Sequence, residues 1–125
     1  LIKTKFVPKT LETGKIGEEQ AVAYLKSKGY TILERNWRYK NLEIDILASD
    51  GLFLSVVEVK TRKNADFGAP EIFVNRGKQK KVIRAANEYV KQKGAEFEIR
   101  FDIVAVNNAT GRIDHIERAY YPDLK

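Results

Sequence analysis

The sequence has no cysteine, no methionine, one histidine and one tryptophan. Without cysteine there is neither a disulfide framework nor a thiolate metal site. A single histidine, His115, argues against an imidazole-built zinc centre or a Ser-His-Asp triad. Near the C-terminus, in a polar strand, it reads as a solvated structural residue. No apolar run is long enough to span a bilayer, and none has the form of a signal-peptide core. The expected compartment is therefore the cytoplasm, with no membrane partner. The lack of methionine leads us to expect the native start outside this chain.

What is present fits one soluble domain: 125 residues, 43% hydrophobic and 32% charged, enough for a single core. The net charge of +6 favours a polyanionic partner, nucleic acid before anionic membrane. Where the cations lie matters more than their sum.

The most informative stretch is Asn41 to Arg62. It reads as two alternating strands around Asp50-Gly51, a pair that tolerates positive φ and marks hairpins. Glu43 and Asp45 share one face of the first strand, opposite Leu42, Ile44, Ile46 and Ala48. Leu54, Val56, Glu58, Lys60 and Arg62 share one face of the second. A two-residue loop at Asp50-Gly51 would set Asp45 across from Val56 and Glu43 across from Glu58. Glu43, Asp45, Glu58 and Lys60 would then converge. Two carboxylates about 4 Å apart repel by roughly 4 kcal/mol at an effective dielectric near 20. A divalent cation removes that penalty, and hard oxygen ligands with few protein contacts suit Mg²⁺. The bland alternative is an alternating strand with a solvated face. Against it stands the apolar density of Phe53, Leu54, Val56, Val57 and Val59, since buried strands seldom carry unpaired charge.

Before this hairpin, residues 1–12 read as a basic arm and residues 13–125 as one domain. Thr13 to Gly29 reads as a helix capped by Thr13 or Gly14 and ended by Gly29. Glu18 lies on its apolar stripe with Ala21, Val22 and Leu25, whereas Glu19 does not. Tyr30 to Tyr39 reads as a strand bent near Asn36, with Tyr30, Ile32 and Trp37 facing inward. After the hairpin, Lys63 to Val74 is turn-rich. Asn75 to Lys93 reads as a second helix ended by Gly94, with Val82, Ile83, Ala86, Tyr89 and Val90 as its apolar face and Gln79 intruding on it. Its other side carries Arg76, Lys78, Lys80, Lys81, Arg84, Lys91 and Lys93. That side is either a solvated face or a phosphate-tracking one. Glu98 to Val106 and Arg112 to Arg118 read as closing strands. The order α-β-β-β-α-β-β implies an α/β fold with a mixed sheet.

Several short motifs add a resemblance. They are Gly14-Lys15-x-Gly17-Glu18, Tyr24-Leu25-x-x-x-Gly29-Tyr30, Asn36-Trp37-Arg38, Glu43-Ile44-Asp45, Val57-Glu58-Val59-Lys60-Thr61-Arg62, Phe67-Gly68-x-Pro70 and Arg100-Phe101-Asp102-Ile103-Val104-Ala105-Val106. Over roughly residues 14 to 106 they resemble the YraN-like family of bacterial proteins of uncharacterised function. That family in turn is similar to the PD-(D/E)XK nuclease superfamily, with archaeal Holliday-junction resolvases as the nearest characterised relatives. The resemblance implies a restriction-endonuclease-like core, α-β-β-β-α-β, with a central mixed sheet flanked by helices. By it, Glu58 and Lys60 match the ExK element and Asp45 the preceding acid. Glu18 matches the helix-borne glutamate and Gln79 the polar residue of the later helix. Asp45, Glu58 and the Val59 carbonyl would hold Mg²⁺ or Mn²⁺, with Glu18 as a further candidate ligand. The chain departs from the pattern at Leu42, where glycine is expected before Glu-Ile-Asp.

The resulting expectation is a metal-dependent DNA endonuclease. Lys60 would orient or activate water, and Arg62, Lys63, Lys78, Lys80, Lys81 and Arg84 would contact the phosphate backbone. Branched or junction DNA is the implied substrate and a homodimer the implied assembly, because one subunit carries one site. No small-molecule cofactor is expected. Two alternatives are a catalytically silent nucleic-acid-binding module and a partner-binding scaffold in DNA processing.

Overall fold

The computed structural model describes residues 9–62, 74–94 and 96–122, without the side chains of residues 9–13. Its elements run α1 (Lys9–Ser27), β1 (Thr31–Tyr39), β2 (Leu42–Ser49), β3 (Phe53–Arg62), α2 (Arg76–Lys93), β4 (Glu98–Asn107) and β5 (Ile113–Tyr120). The five strands form one sheet in the order β1-β2-β3-β4-β5. Only β3 and β4 are parallel; the other neighbours are antiparallel. A parallel pair needs a crossover, and α2 lies within that connection.

Successive residues of β3 point to opposite faces, and each face is covered by one helix. Val57 joins Ala21, Val22 and Leu25 of α1 in one buried cluster with Ile46, Ala48 and Val104. Val56 joins Val82, Ala85, Ala86 and Tyr89 of α2 in the other, with Leu47, Leu54 and Phe101. Trp37 packs half-buried against this second cluster and meets Tyr89 edge-on at 5.2 Å. The approach of α1 to β3 is tight at Gly17, where an added Cβ would stand 2.3 Å from Thr61 Oγ1.

α1 begins at Lys9 rather than Thr13, so Thr13 and Gly14 lie inside the helix instead of capping it, and Lys9 to Glu12 belong to the helix rather than to an arm. Gly14 and Gly17 each cost the helix about 1 kcal/mol, too little to stop one anchored by Ala21, Val22 and Leu25. Glu18 is therefore not a first-turn residue. The far end is as expected: Gly29 takes φ 95°, and the Tyr30 amide donates back to the Leu25 carbonyl. α2 also starts and stops as its caps predict. Asn75 accepts from the Lys78 amide, and Gly94 closes the helix in the left-handed region.

The hairpin differs from expectation in register. Ser49 pairs with Leu54 and Ile46 with Val57, so the loop is wider than Asp50-Gly51. Asp50 Oδ1 accepts from the amides of both Leu52 and Phe53, and this local bonding stabilises the longer turn. The slip is by two residues, so the alternation of faces in β3 survives it.

β2 departs further. Ile44 packs in the α2-side cluster, whereas Ile46 and Ala48 pack in the α1-side cluster. The expected common face is broken at Asp45. On β1, Arg35 pairs with Ile46 and Trp37 with Ile44, which sets Asn36 across from Asp45. Asn36 has φ 52°, a conformation asparagine tolerates better than most residues. The alternation is thus interrupted at facing positions of β1 and β2.

A second correction concerns His115. Its side chain is 7% exposed, with Nε2 2.8 Å from Asp102 Oδ2 and Nδ1 3.2 Å from the Tyr24 hydroxyl. Asp102, fully buried, also accepts from Ser55 Oγ at 2.7 Å, from Arg100 and from the Arg118 amide. Arg100 in turn reaches the Tyr30 hydroxyl. Burial pushes the Asp102 carboxyl up, but His115, Arg100, Ser55 and the Arg118 amide more than offset this and hold it at about 2. The signal was legible: Arg100 and Asp102 are charges inside an apolar strand, and buried charges are paired.

Candidate metal and phosphate site

The break at Asp45 coincides with a parting of strands. β2 and β3 pair from Ser49–Leu54 to Ile46–Val57. Beyond that point β3 continues to Arg62 with all of these residues paired to β4. Asp45 fills the opening. Its Oδ2 accepts from the Val59 amide at 2.8 Å, replacing a backbone partner with a carboxylate. Within a strand the N–H and C=O of one residue point to the same edge, so the Val59 carbonyl faces the same gap.

Asp45 touches cavities on both sides. A small one of about 30 Å³ is lined by Glu43, Asp45, Glu58, Lys78, Val82 and Tyr120. A larger one of about 360 Å³ is lined by Lys15, Glu18, Asn36, Glu43, Asp45 and Thr61. Burial raises the Asp45 carboxyl first; the Val59 amide and Lys78 oppose this, and Glu58 and Glu18 add to it, leaving it at about 6.

Glu58 and Lys60 stand on the α2 side of β3. Glu58 Oε2 is 4.0 Å from Lys60 Nζ and 2.9 Å from Lys78 Nζ. Two cations thus share one carboxylate oxygen. Glu18 approaches Asp45 from the α1 side. Asn36 Nδ2 donates to Glu18 Oε2 at 2.8 Å, and Arg35 stands 3.6 Å from its other oxygen. Gln79 turns to the backbone, donating from Nε2 to the Val74 carbonyl at 2.7 Å. Tyr120, beside Glu58, has its hydroxyl proton held more tightly than usual, by burial and then by that carboxylate.

Of the cationic positions read from the sequence, Lys80, Lys81 and Arg84 lie exposed on α2, Lys78 reaches Glu58, and Arg62 ends β3 half-buried. Lys63, with the rest of the loop before Val74, lies outside the described residues. Sequence reading overlooked two functions here. Lys78, expected at phosphate, bonds Glu58, and Asn36, expected at a bend, also bonds Glu18. An asparagine at a strand bend was the available signal for the second; for the first there was none, because the pairing is tertiary.

Among the described residues, no group of three or more His, Cys, Asp or Glu side chains is arranged to hold a metal ion. The groups that could serve a metal ion are two carboxylates, Asp45 and Glu58, and the Val59 carbonyl. These groups are all oxygen; Asp45 and Glu58 border the small cavity, large enough for a water or an ion, whereas Val59 lines the larger one with Asp45 and Glu18. That set suits Mg²⁺, which binds through one or two carboxylates and keeps several waters.

A family model described as "Uncharacterised protein family UPF0102" matches residues 17–106. A UPF0102 protein of Bacteroides thetaiotaomicron is 48% identical over 115 residues, covering 90% of this chain and 95% of the relative. One from Flavobacterium psychrophilum is 46% identical over 112 residues, covering 88% and 94%. One from Thermodesulfovibrio yellowstonii is 45% identical over 111 residues, covering 89% and 97%.

Proposed function

The chain belongs to the uncharacterised protein family UPF0102, and on that premise we propose that it is a divalent-cation-dependent endonuclease acting on DNA, with branched or junction DNA as substrate. The observation that carries the reading is the Asp45 carboxylate set in the gap between β2 and β3, bonded to the amide between Glu58 and Lys60. A half-buried, mutually repelling pair of carboxylates is a costly arrangement that a cation would relieve. The helix–strand order and the parting of β2 from β3 are in keeping with a restriction-endonuclease-like core.

In this reading Asp45, Glu58 and the Val59 carbonyl hold Mg²⁺ or Mn²⁺. The ion, when bound, supplies Lewis acidity toward the phosphate and lowers the pKa of water. Lys60 orients the attacking water and offsets charge developing on the phosphate. Glu18, steadied by Asn36, sets the field at Asp45 from the opposite face. Gln79 holds the start of α2 against Val74. Lys80, Lys81 and Arg84 follow the phosphate backbone, and a homodimer brings two sites to one junction.

The test incubates the protein with Mg²⁺ or Mn²⁺ on linear duplex, single strand, flap and four-way-junction DNA, beside Glu58→Ala and Lys60→Ala. Cleavage by the wild type that both variants lose supports the reading; no cleavage of any substrate removes it. The sharing of Glu58 by Lys60 and Lys78 favours one second reading, a silent nucleic-acid-binding module. It expects salt-sensitive DNA binding that survives Glu58→Ala.

A further inference from the structure

Glu58 has more cationic neighbours than it needs. Lys60 sits two residues along the same strand, on the same face, with its side chain 26% exposed. Lys78 comes from α2, lies closer to the shared oxygen, and is 42% exposed. The two lysines have fixed backbones and equal stems but differ in exposure, and the more exposed Lys78 has more room to turn toward solvent. Lys60 is carried by a strand paired to β4 along its whole length. The Lys78 backbone is also fixed, because its amide donates to the Asn75 cap at 2.8 Å. Either four-carbon stem can swing by torsion alone.

The Lys78 ammonium also occupies a particular place. It lines the small cavity between Asp45 and Glu58, where its charge acts on both carboxylates. A divalent cation bound at Glu58 Oε2 would add a third positive charge at that oxygen, and its repulsion falls hardest on Lys78, 2.9 Å from the oxygen against 4.0 Å for Lys60. On leaving, Lys78 would stand near another ammonium one helical turn away, a repulsion that a bound phosphate would relieve. Lys81, three residues on and exposed, lies on the same side of α2, so the released ammonium joins a cationic face turned to solvent.

We infer that Lys78 is an exchangeable counter-ion: its ammonium holds Glu58 until a divalent cation takes that oxygen, and it then turns to a phosphate of the nucleic acid. Cation binding and DNA binding are thereby coupled through one side chain. The inference rests on the cation-dependent reading of the site and adds to it a competitor and a linkage.

The experiment compares wild type, Lys78→Met, Lys78→Arg and Asp45→Ala by calorimetry with Mn²⁺, and by duplex-DNA binding in Ca²⁺ and in EDTA. Lys78→Met should bind Mn²⁺ about two- to fivefold more tightly, the range that loss of a part-exposed ion pair allows. It should bind DNA about fivefold more weakly in Ca²⁺ but equally in EDTA, since only the released ammonium reaches phosphate. Lys78→Arg should stay near wild type in both. Equal Mn²⁺ affinity in wild type and Lys78→Met, with heat abolished in Asp45→Ala, overturns the exchange and leaves the site reading standing. No Mn²⁺ heat in either protein overturns both. A DNA defect of the same size in EDTA makes Lys78 an ordinary phosphate contact and also overturns the exchange.

Discussion

Replacing Asp45 by Asn tests whether the residue is held against its own chemistry. Its carboxyl is raised from the ordinary 3.8 to about 6, chiefly by burial, with Glu58 and Glu18 adding to the shift. The folded protein therefore prefers the protonated form. Below about pH 4 the side chain is neutral in both folded and unfolded chains, and no penalty exists. Between about 4 and 6 the unfolded chain ionises first, and the folded state loses stability as pH rises; above about 6 the loss is complete. The interval corresponds to about 3 kcal/mol, an upper limit because Asp45 borders two open cavities. Asparagine keeps an oxygen for the Val59 amide and carries no charge at any pH. Asp45→Asn should thus be more stable than wild type by about 1–3 kcal/mol at pH 8 and equal to it at pH 3.5. The difference should develop between pH 4 and 6.5. Urea unfolding of both proteins across that range measures it directly. Excess Mn²⁺ at pH 8 should narrow the gap by stabilising only the wild type. A variant less stable at pH 8, or a difference that does not change with pH, would refute the account of Asp45 as a strained acid.

Three further outcomes are expected. Gly17→Ala should cost about 1–3 kcal/mol through the clash with Thr61 and recover in Gly17→Ala/Thr61→Ala, whereas Gly14→Ala, with open space around its Cβ, should gain up to about 1 kcal/mol; thermal melts distinguish them. Asp102→Asn should cost about 3–5 kcal/mol, because it strips the partner from Arg100, itself only 5% exposed. Asp102 is depressed from 3.8 to about 2, so its stabilisation is present above about pH 4 and is lost as pH falls toward 2; acid unfolding followed by circular dichroism should show that loss in the wild type and not in Asp102→Asn.

Periodicity alone determined much of this protein. The apolar spacing of Val82, Ala86 and Tyr89, framed by Asn75 and Gly94, specifies α2 with both ends. Alternation through Leu54, Val56 and Glu58 specifies which residues of β3 share a face, and a register error of two residues left that intact. These signals are local, carried by side chains a few residues apart on one element. Three features are not fixed by that periodicity. The hairpin register depends on how Asp50 bonds within its own loop. The face of Asp45 depends on a break shared with Asn36, on a strand whose pairing no local pattern encodes. Lys78 on Glu58 and His115 on Asp102 join elements that only packing brings together. Charge and alternation in the sequence mark where an acid is out of place; the neighbours that make it strained exist only once the sheet has opened between β2 and β3.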